Sequence, residues 1–175
     1  FEISNVILST DSDKKFNEFA QIKKLKIYVS ILKLYSQKEL EIKKIIFFDA
    51  NLNINKNSFY YLNNFFRKKN SSKKIIIKKS KIFFREGIDK NDAIAISSMQ
   101  KSKIFYDEKK ISNKMIIDGS IFNTKYNLNF SRSIANKSLT NFQINFKQLN
   151  AKINNEFLKS SDKSINSEGI VSINF

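Results

Sequence analysis

The chain has 175 residues, enough for one ordinary domain or a slice of a longer repetitive one, and 41% hydrophobic with 27% charged residues are globular values. It contains no His and no Cys, which excludes Ser-His-Asp triads, Cys nucleophiles, disulfides and the usual zinc sites. A formal charge of +16 attracts phosphate on nucleic acid or on lipid headgroups.

The bias within those totals gives a plainer reading of the charge. Lys, Asn, Ile and Phe dominate, Pro and Trp are absent, and Gly occurs three times. An AT-rich genome produces this composition without selection, and the lysines then form a solvated surface. No apolar run approaches the 18 or so residues of a membrane-spanning helix, and the longest candidate, Leu25 to Tyr35, is broken by Lys26 and Lys33. The chain opens at Phe1 directly on strand-like sequence, which reads as a processed product or a fragment.

Alternation with a period of two recurs from end to end and predicts strands. Near the start, Asp13 to Ala20 could form a short helical turn with Phe16, Phe19 and Ala20 inward. Leu25, Ile27, Val29 and Ile31 then alternate with Lys24, Lys26, Tyr28 and Ser30. From Leu40 to Ile54 the even positions carry Leu40, Ile42, Ile46, Phe48, Leu52 and Ile54, but Ile45 and Phe47 break the rule. That stretch is one long strand, or two joined at a bend near Asp49. Asn57 to Phe66 is a second candidate helical turn. Ile82 and Phe84, then Ile94 and Ile96, resume the alternation. Met115, Ile117 and Ile121 share a face, followed by Tyr126, Leu128 and Phe130 and by Phe142, Ile144 and Phe146. The polar stretches Arg67–Lys73, Glu86–Asp92, Asp107–Lys110, Arg132–Ser138 and Lys159–Glu168 read as loops.

The spacing predicts a mainly β chain, an antiparallel meander with at most short helices, forming one domain over residues 1–175. An alternating sheet has one apolar face, which must meet another layer, close on itself or hold something greasy. With so little helix, the choices are a sandwich, a barrel, or a curved sheet with an apolar groove. Rows such as Ile42, Ile46, Phe48, Leu52 and Ile54 fit either a closed core or a groove floor.

The stretch Phe19 to Ile54 resembles the N-terminal signature of the AsmA family. Val29-Ser30-Ile31-Leu32-Lys33-Leu34 is similar to its small-residue and aliphatic turn, and Lys38 to Ile45 running on to Asn51-Leu52-Asn53-Ile54 is similar to the strand that follows. Asn5 to Ser9, Ile75 to Phe84, and Met115 to Phe130 with Gly119, Tyr126 and Leu128 resemble further strands. The family's usual Pro is replaced by Ala50 and Lys125, and its frequent Gly by Gln37.

AsmA-like proteins are similar to bridge-like lipid transfer proteins. The resemblance therefore implies a periplasmic β-groove, anchored in the inner membrane by a helix upstream of Phe1, that carries phospholipid toward the outer membrane. On that reading the groove floor holds Ile42, Ile46, Phe48, Leu52, Ile54, Ile82, Phe84, Tyr126, Leu128, Phe130, Phe142, Ile144 and Phe146. No cofactor, metal or enzymatic activity is expected.

Other signals are weaker. The carboxylate neighbours Asp11/Asp13, Glu39/Glu41, Asp89/Asp92 and Asp107/Glu108 fall in turns or on exposed faces. Asn70-Ser71-Ser72 and Asn136-Lys137-Ser138 match the glycosylation sequon, as chance allows in an Asn-rich chain. Arg67-Lys68-Lys69, Lys73-Lys74 and Lys78-Lys79 follow Phe65 and Phe66. Basic residues beside aromatics can bind single-stranded nucleic acid, so the alternative to a lipid groove is a basic, β-rich nucleic-acid-binding protein of ribosomal type. A surface or adhesin-like interaction module is a third reading. Oligomeric state is left open.

Overall fold

The computed structural model describes residues 1–12, 15–86, 93–135, 139–159 and 167–174. Ten strands form one open, curved sheet whose spatial order equals the chain order. The strands are β1 (Glu2–Ser12), β2 (Lys15–Val29), β3 (Ile42–Ile54), β4 (Lys74–Arg85), β5 (Ala93–Asp107), β6 (Ser112–Ile121), β7 (Thr124–Ser133), β8 (Leu139–Phe146), β9 (Ala151–Lys159) and β10 (Ser167–Asn174). A short helix, α1 (Ile31–Ser36), joins β2 to β3; a longer one, α2 (Lys56–Arg67), joins β3 to β4. A single 3-10 turn, Lys147–Leu149, leads from β8 to β9. The β-dominated fold expected from the alternation is therefore present.

Three local expectations need correction. The sheet is a meander except at one place: β3 and β4 are parallel, with α2 as the crossover. A parallel pair cannot be closed by a tight hairpin, and the helix supplies the return path. The second correction concerns the chain start. Phe16, Phe19 and Ala20 have helical spacing, yet residues 15–20 extend in β2, because β1 offers a pairing edge from Glu18↔Ser9 through Ala20↔Leu8. Asp13 itself lies outside the described residues. Ile31 likewise leaves its expected strand and opens α1.

Helix α2 begins at a built cap. Asn55 Oδ1 accepts the Ser58 backbone N–H at 2.9 Å and the Ser58 hydroxyl at 3.0 Å, the capping geometry that Asn favours. Its far end is clamped by Asn113 on β6. The Asn113 amide nitrogen donates to the carbonyls of Phe66 (2.8 Å) and Lys68 (2.7 Å), and its Oδ1 accepts the Asn70 N–H at 3.0 Å. The Phe66 ring packs on Phe130 of β7 with centroids 4.8 Å apart. The predicted loop after α2 thus lies stitched to the sheet, with Tyr106 N–H also bonded to the Ser71 carbonyl.

The hairpins carry their own signatures. β6 and β7 turn through Phe122 and Asn123, both at positive φ (47° and 61°), between the paired Ile121 and Thr124. Two such residues give the turn whose twist suits a two-residue hairpin. Asn is at ease there, whereas Phe122 is a costly occupant and stands 78% exposed. At the β5–β6 turn, Asp107 Oδ1 accepts the N–H groups of Lys109 and Lys110, while Oδ2 bonds Lys114 Nζ at 2.6 Å.

A line of irregular positions crosses the first five strands. Asn5, Asp49 and Lys79 have φ of 55°, 53° and 50°, and the pairing skips from Ser4↔Lys24 to Val6↔Ile22, from Phe48↔Lys24 to Ala50↔Ile22, and from Lys78↔Lys101 to Ser80↔Met99. Each skip inverts the alternation, as a bulge does. Phe47 on one side of Asp49 therefore shares a face with Ala50, Leu52 and Ile54 on the other, and all belong to one core cluster. This is the expected bend near Asp49, and it accounts for Ile45 and Phe47 departing from the even-numbered pattern.

Candidate functional site

One face of the sheet is apolar in continuous cross-strand rows. Following the pairing register from edge to edge, the longest row reads Ile3, Leu25, Phe47, Ile77, Ser102, Ile117, Leu128, Ile144, Ile153 and Ile173. Every strand contributes, and Ser102 alone is polar. A neighbouring row runs Ile27, Ile45, Ile75, Ile104, Met115, Phe130, Phe142 and Asn155. Beyond the bulge line come Val6, Ile22, Ala50, Ser80, Met99, Gly119 and Tyr126. Residues opposite one another on adjacent strands touch, so each row is a strip of contact running across the strands.

Burial is deepest over β2–β6 and lighter on the two outermost strands. Ala20 and Ala50 are 0% exposed and Ile22 is 2% exposed, whereas Ile3 at one edge and Ile173 at the other are 46% and 53% exposed. Helix α2 packs on this face through Phe66. The β8 side chains Phe142, Ile144 and Phe146 are half-buried. Two buried polar atoms on the face, Ser102 Oγ and Asn155 Oδ1, have no hydrogen-bond partner among the described residues, a rare condition that invites a ligand or water.

Gly119 marks a close approach. The Tyr126 ring lies over it, and the Tyr126 hydroxyl meets Ser97 Oγ at 2.6 Å. Burial raises the Tyr126 pKa above its ordinary value, partly countered by the bond to Ser97. The ring also contacts Phe146, with centroids 6.3 Å apart.

The opposite face is basic and aromatic over β2–β5. Its rows read Lys24, Phe48, Lys78, Lys101 and Lys26, Ile46, Ile76, Lys103, with Tyr28, Lys44 and Lys74 beyond. Lys26 and Lys78 both lie over Phe48 (5.9 and 5.6 Å), Lys44 over Tyr28 (4.4 Å) and Lys74 over Phe105 (6.0 Å). Glu2 answers part of this charge, bonding Lys24 at 2.8 Å and Lys26 at 3.1 Å, and those lysines hold its carboxyl below the usual range. Over β6–β10 the same face is an amide-lined groove of ≈920 Å³, in which Gln143 donates to Asn154 at 2.7 Å and Asn154 to Ser172 at 3.4 Å.

The sequence-predicted lining residues divide between these faces. Leu52, Ile54, Ile82, Phe84, Tyr126, Leu128, Phe130, Phe142, Ile144 and Phe146 come together on the apolar face. Ile46 and Phe48 stand on the basic face, and Ile42 is 37% exposed beyond them at the strand's start. The inversion at Asp49 separates them. Residues that the alternation missed, Ile45, Phe47, Ile75, Ile77 and Ile104, take their places; the signal available was the broken parity on either side of Asp49.

The weaker signals resolve individually. Glu41 is engaged by two lysines. It bonds Lys73 at 2.6 Å and Lys33 at 3.4 Å, and Lys73 above all pulls its pKa down. Asp107 is likewise lowered, chiefly by Lys114. Asp89, Asp92 and Asn136 lie outside the described residues, as does Asp13. Asn70 Nδ2 is buried, so the first sequon cannot take a glycan without unpicking the loop. Phe66 is buried against Phe130 and is not a free stacking surface, while Lys69 sits over Tyr106 at 4.9 Å. No family model matches the sequence, and neither does any curated protein.

Proposed function

We propose that the chain is a lipid-holding β-groove of AsmA type, whose apolar face carries the acyl chains of phospholipid across the strands. One observation carries this reading: the apolar row from Ile3 to Ile173 continues through all ten strands of an open sheet. Strands are about 4.8 Å apart, so nine gaps give a strip of roughly 43 Å, longer than an extended acyl chain. Apolar surface costs roughly 25 cal/mol per Å² in water, and a bare patch above a few hundred Å² is uncommon. A periplasmic setting, an inner-membrane anchor and delivery toward the outer membrane belong to the same proposal and come from the family resemblance. No catalytic step is assigned to the chain.

The test is mass spectrometry of lipid extracted from the purified protein, with substitutions on both faces. Leu128→Asp and Ile144→Asp put a carboxylate among acyl chains, which is costly, and both should lower bound phospholipid while the protein stays folded by circular dichroism. Phe48→Asp, on the basic face, should leave lipid unchanged. Lipid-free wild-type protein, together with Leu128→Asp protein that unfolds, would make this face a closed core and end the proposal.

The lysines around Phe48 favour a second reading, binding of single-stranded nucleic acid on the basic face. Such binding weakens steeply with salt, so an oligonucleotide titration at low and high salt decides it. Salt-dependent affinity lost in Lys78→Glu would support it, and no affinity at low salt would dismiss it.

A further inference from the structure

Helix α1 turns apolar side chains to solvent. Its charged residue, Lys33, pairs with Glu41 at 3.4 Å and Leu34 is half-buried, while Ile31, Leu32 and Tyr35 stand 66%, 80% and 82% exposed. Leu40, just past the helix, is 63% exposed, and Phe1, paired with Ile27 beside it, is 73% exposed. An ordinary surface helix does the reverse.

This outward apolar tip is held firmly. Ser30 N–H bonds the Glu41 carbonyl at 2.9 Å, closing the base of the loop, and Leu34, Gln37 and Glu39 N–H groups bond back to Ser30 and Lys33 at 3.0–3.2 Å. Glu41 is anchored in turn by Lys73 from the segment leading into β4. Next to the tip in the chain, Lys38 and Lys43 are exposed, and the Glu41 carboxylate is already engaged by Lys33 and Lys73.

We infer that α1 and its flanks dock on a bilayer with anionic headgroups, the apolar side chains entering the headgroup–acyl boundary and the lysines binding the lipid phosphates. Two considerations select this occupant. Two copies meeting there would bring their lysine rims together, a repulsive arrangement. Apolar residues ringed by lysine match the two attractions that hold an interfacial segment, burial and phosphate binding. The docking uses residues separate from the groove floor and goes beyond that proposal.

The chain contains no tryptophan, so Tyr35→Trp installs a single fluorescent reporter at the tip. With phosphatidylglycerol-containing vesicles its emission should shift to the blue and be quenched by bromine-labelled acyl chains; with pure phosphatidylcholine vesicles both effects should be much weaker. Ile31→Asp with Leu32→Asp should lower vesicle affinity at least about tenfold without altering the melting temperature, because both positions are solvent-exposed. Indole emission that stays unshifted, equal binding to neutral vesicles, or a wild-type dimer abolished by the Asp pair would each overturn the inference. Protein that docks through α1 but carries no lipid would defeat the groove alone; protein that carries lipid but leaves vesicles unbound would defeat the docking alone.

Discussion

Asp49 and Lys79 occupy equivalent positions on the two parallel strands, and both hold left-handed backbone, at φ 53° and 50°. The next residues are joined directly, Ala50 N–H donating to Ser80 Oγ at 3.0 Å. The kink is thus shared between neighbours, and the side chains on either side of it change faces together.

That geometry sets a first expectation. A β-branched residue resists left-handed φ by about 1–2 kcal/mol, while Gly adopts it freely. Lys79→Val should lower the urea midpoint accordingly, and Lys79→Gly should hold or raise it. Equal midpoints for the two would mean that the kink does not constrain the strand.

Gly119 gives a second. A Cβ there would stand 2.7 Å from the Ser98 carbonyl oxygen and 3.0 Å from the Tyr126 ring, and a backbone atom cannot swing aside. Gly119→Ala should cost about 1–3 kcal/mol by overpacking, read in thermal melts. Combining it with Tyr126→Leu should not restore full stability, since the carbonyl contact persists.

The Asn113 clamp gives a third. Asn113→Ala leaves the Phe66 and Lys68 carbonyls and the Asn70 N–H without their partner, at about 1–3 kcal/mol for each buried group left unsatisfied. Faster trypsin cleavage after Arg67 or Lys68, with the remainder of the sheet still protected, is the expected readout. Unchanged cleavage would show that Phe66 packing alone holds α2.

Stability should fall at both ends of the pH range. Glu2, Glu41 and Asp107 have lowered pKa values, so their contribution is complete above the unfolded carboxyl range of about 4 and is lost as acid protonates them in the folded chain. Tyr126 is raised, so its contribution is complete below about pH 10 and fades above it. With no histidine, melting temperature should be nearly level between. Lys114→Met should blunt the acid limb and Tyr126→Phe the alkaline one; unaltered limbs would sever these groups from the profile.

Much of the sheet was legible because period two is imposed on each strand separately. Tyr126, Leu128 and Phe130 alternate without interruption, and their face follows from one strand alone. Ile46 and Phe48 were misplaced because the inversion at Asp49 depends on backbone that neighbouring strands stabilise, and a lone Asp carries no sign of positive φ. The parallel β3–β4 pair was hidden for a similar reason. Asn57–Phe66 reads as a short turn, and only its Asn113 and Phe130 anchors make it a crossover. The start of β2 was lost to the i, i+3, i+4 spacing of Phe16, Phe19 and Ala20, a local preference overridden by pairing with β1.

Strand order that repeats chain order has a kinetic consequence. Apart from the α2 crossover, each strand closes only the loop to its predecessor, so little chain entropy is lost before a contact forms. Stability then accumulates from neighbour to neighbour, much as in a linear repeat array. The outermost strands, each held on one side, should open first, and hydrogen exchange should spread inward from β1 and β10 while β4 to β6 exchange last. The protein would loosen like a ladder losing end rungs, keeping its centre intact.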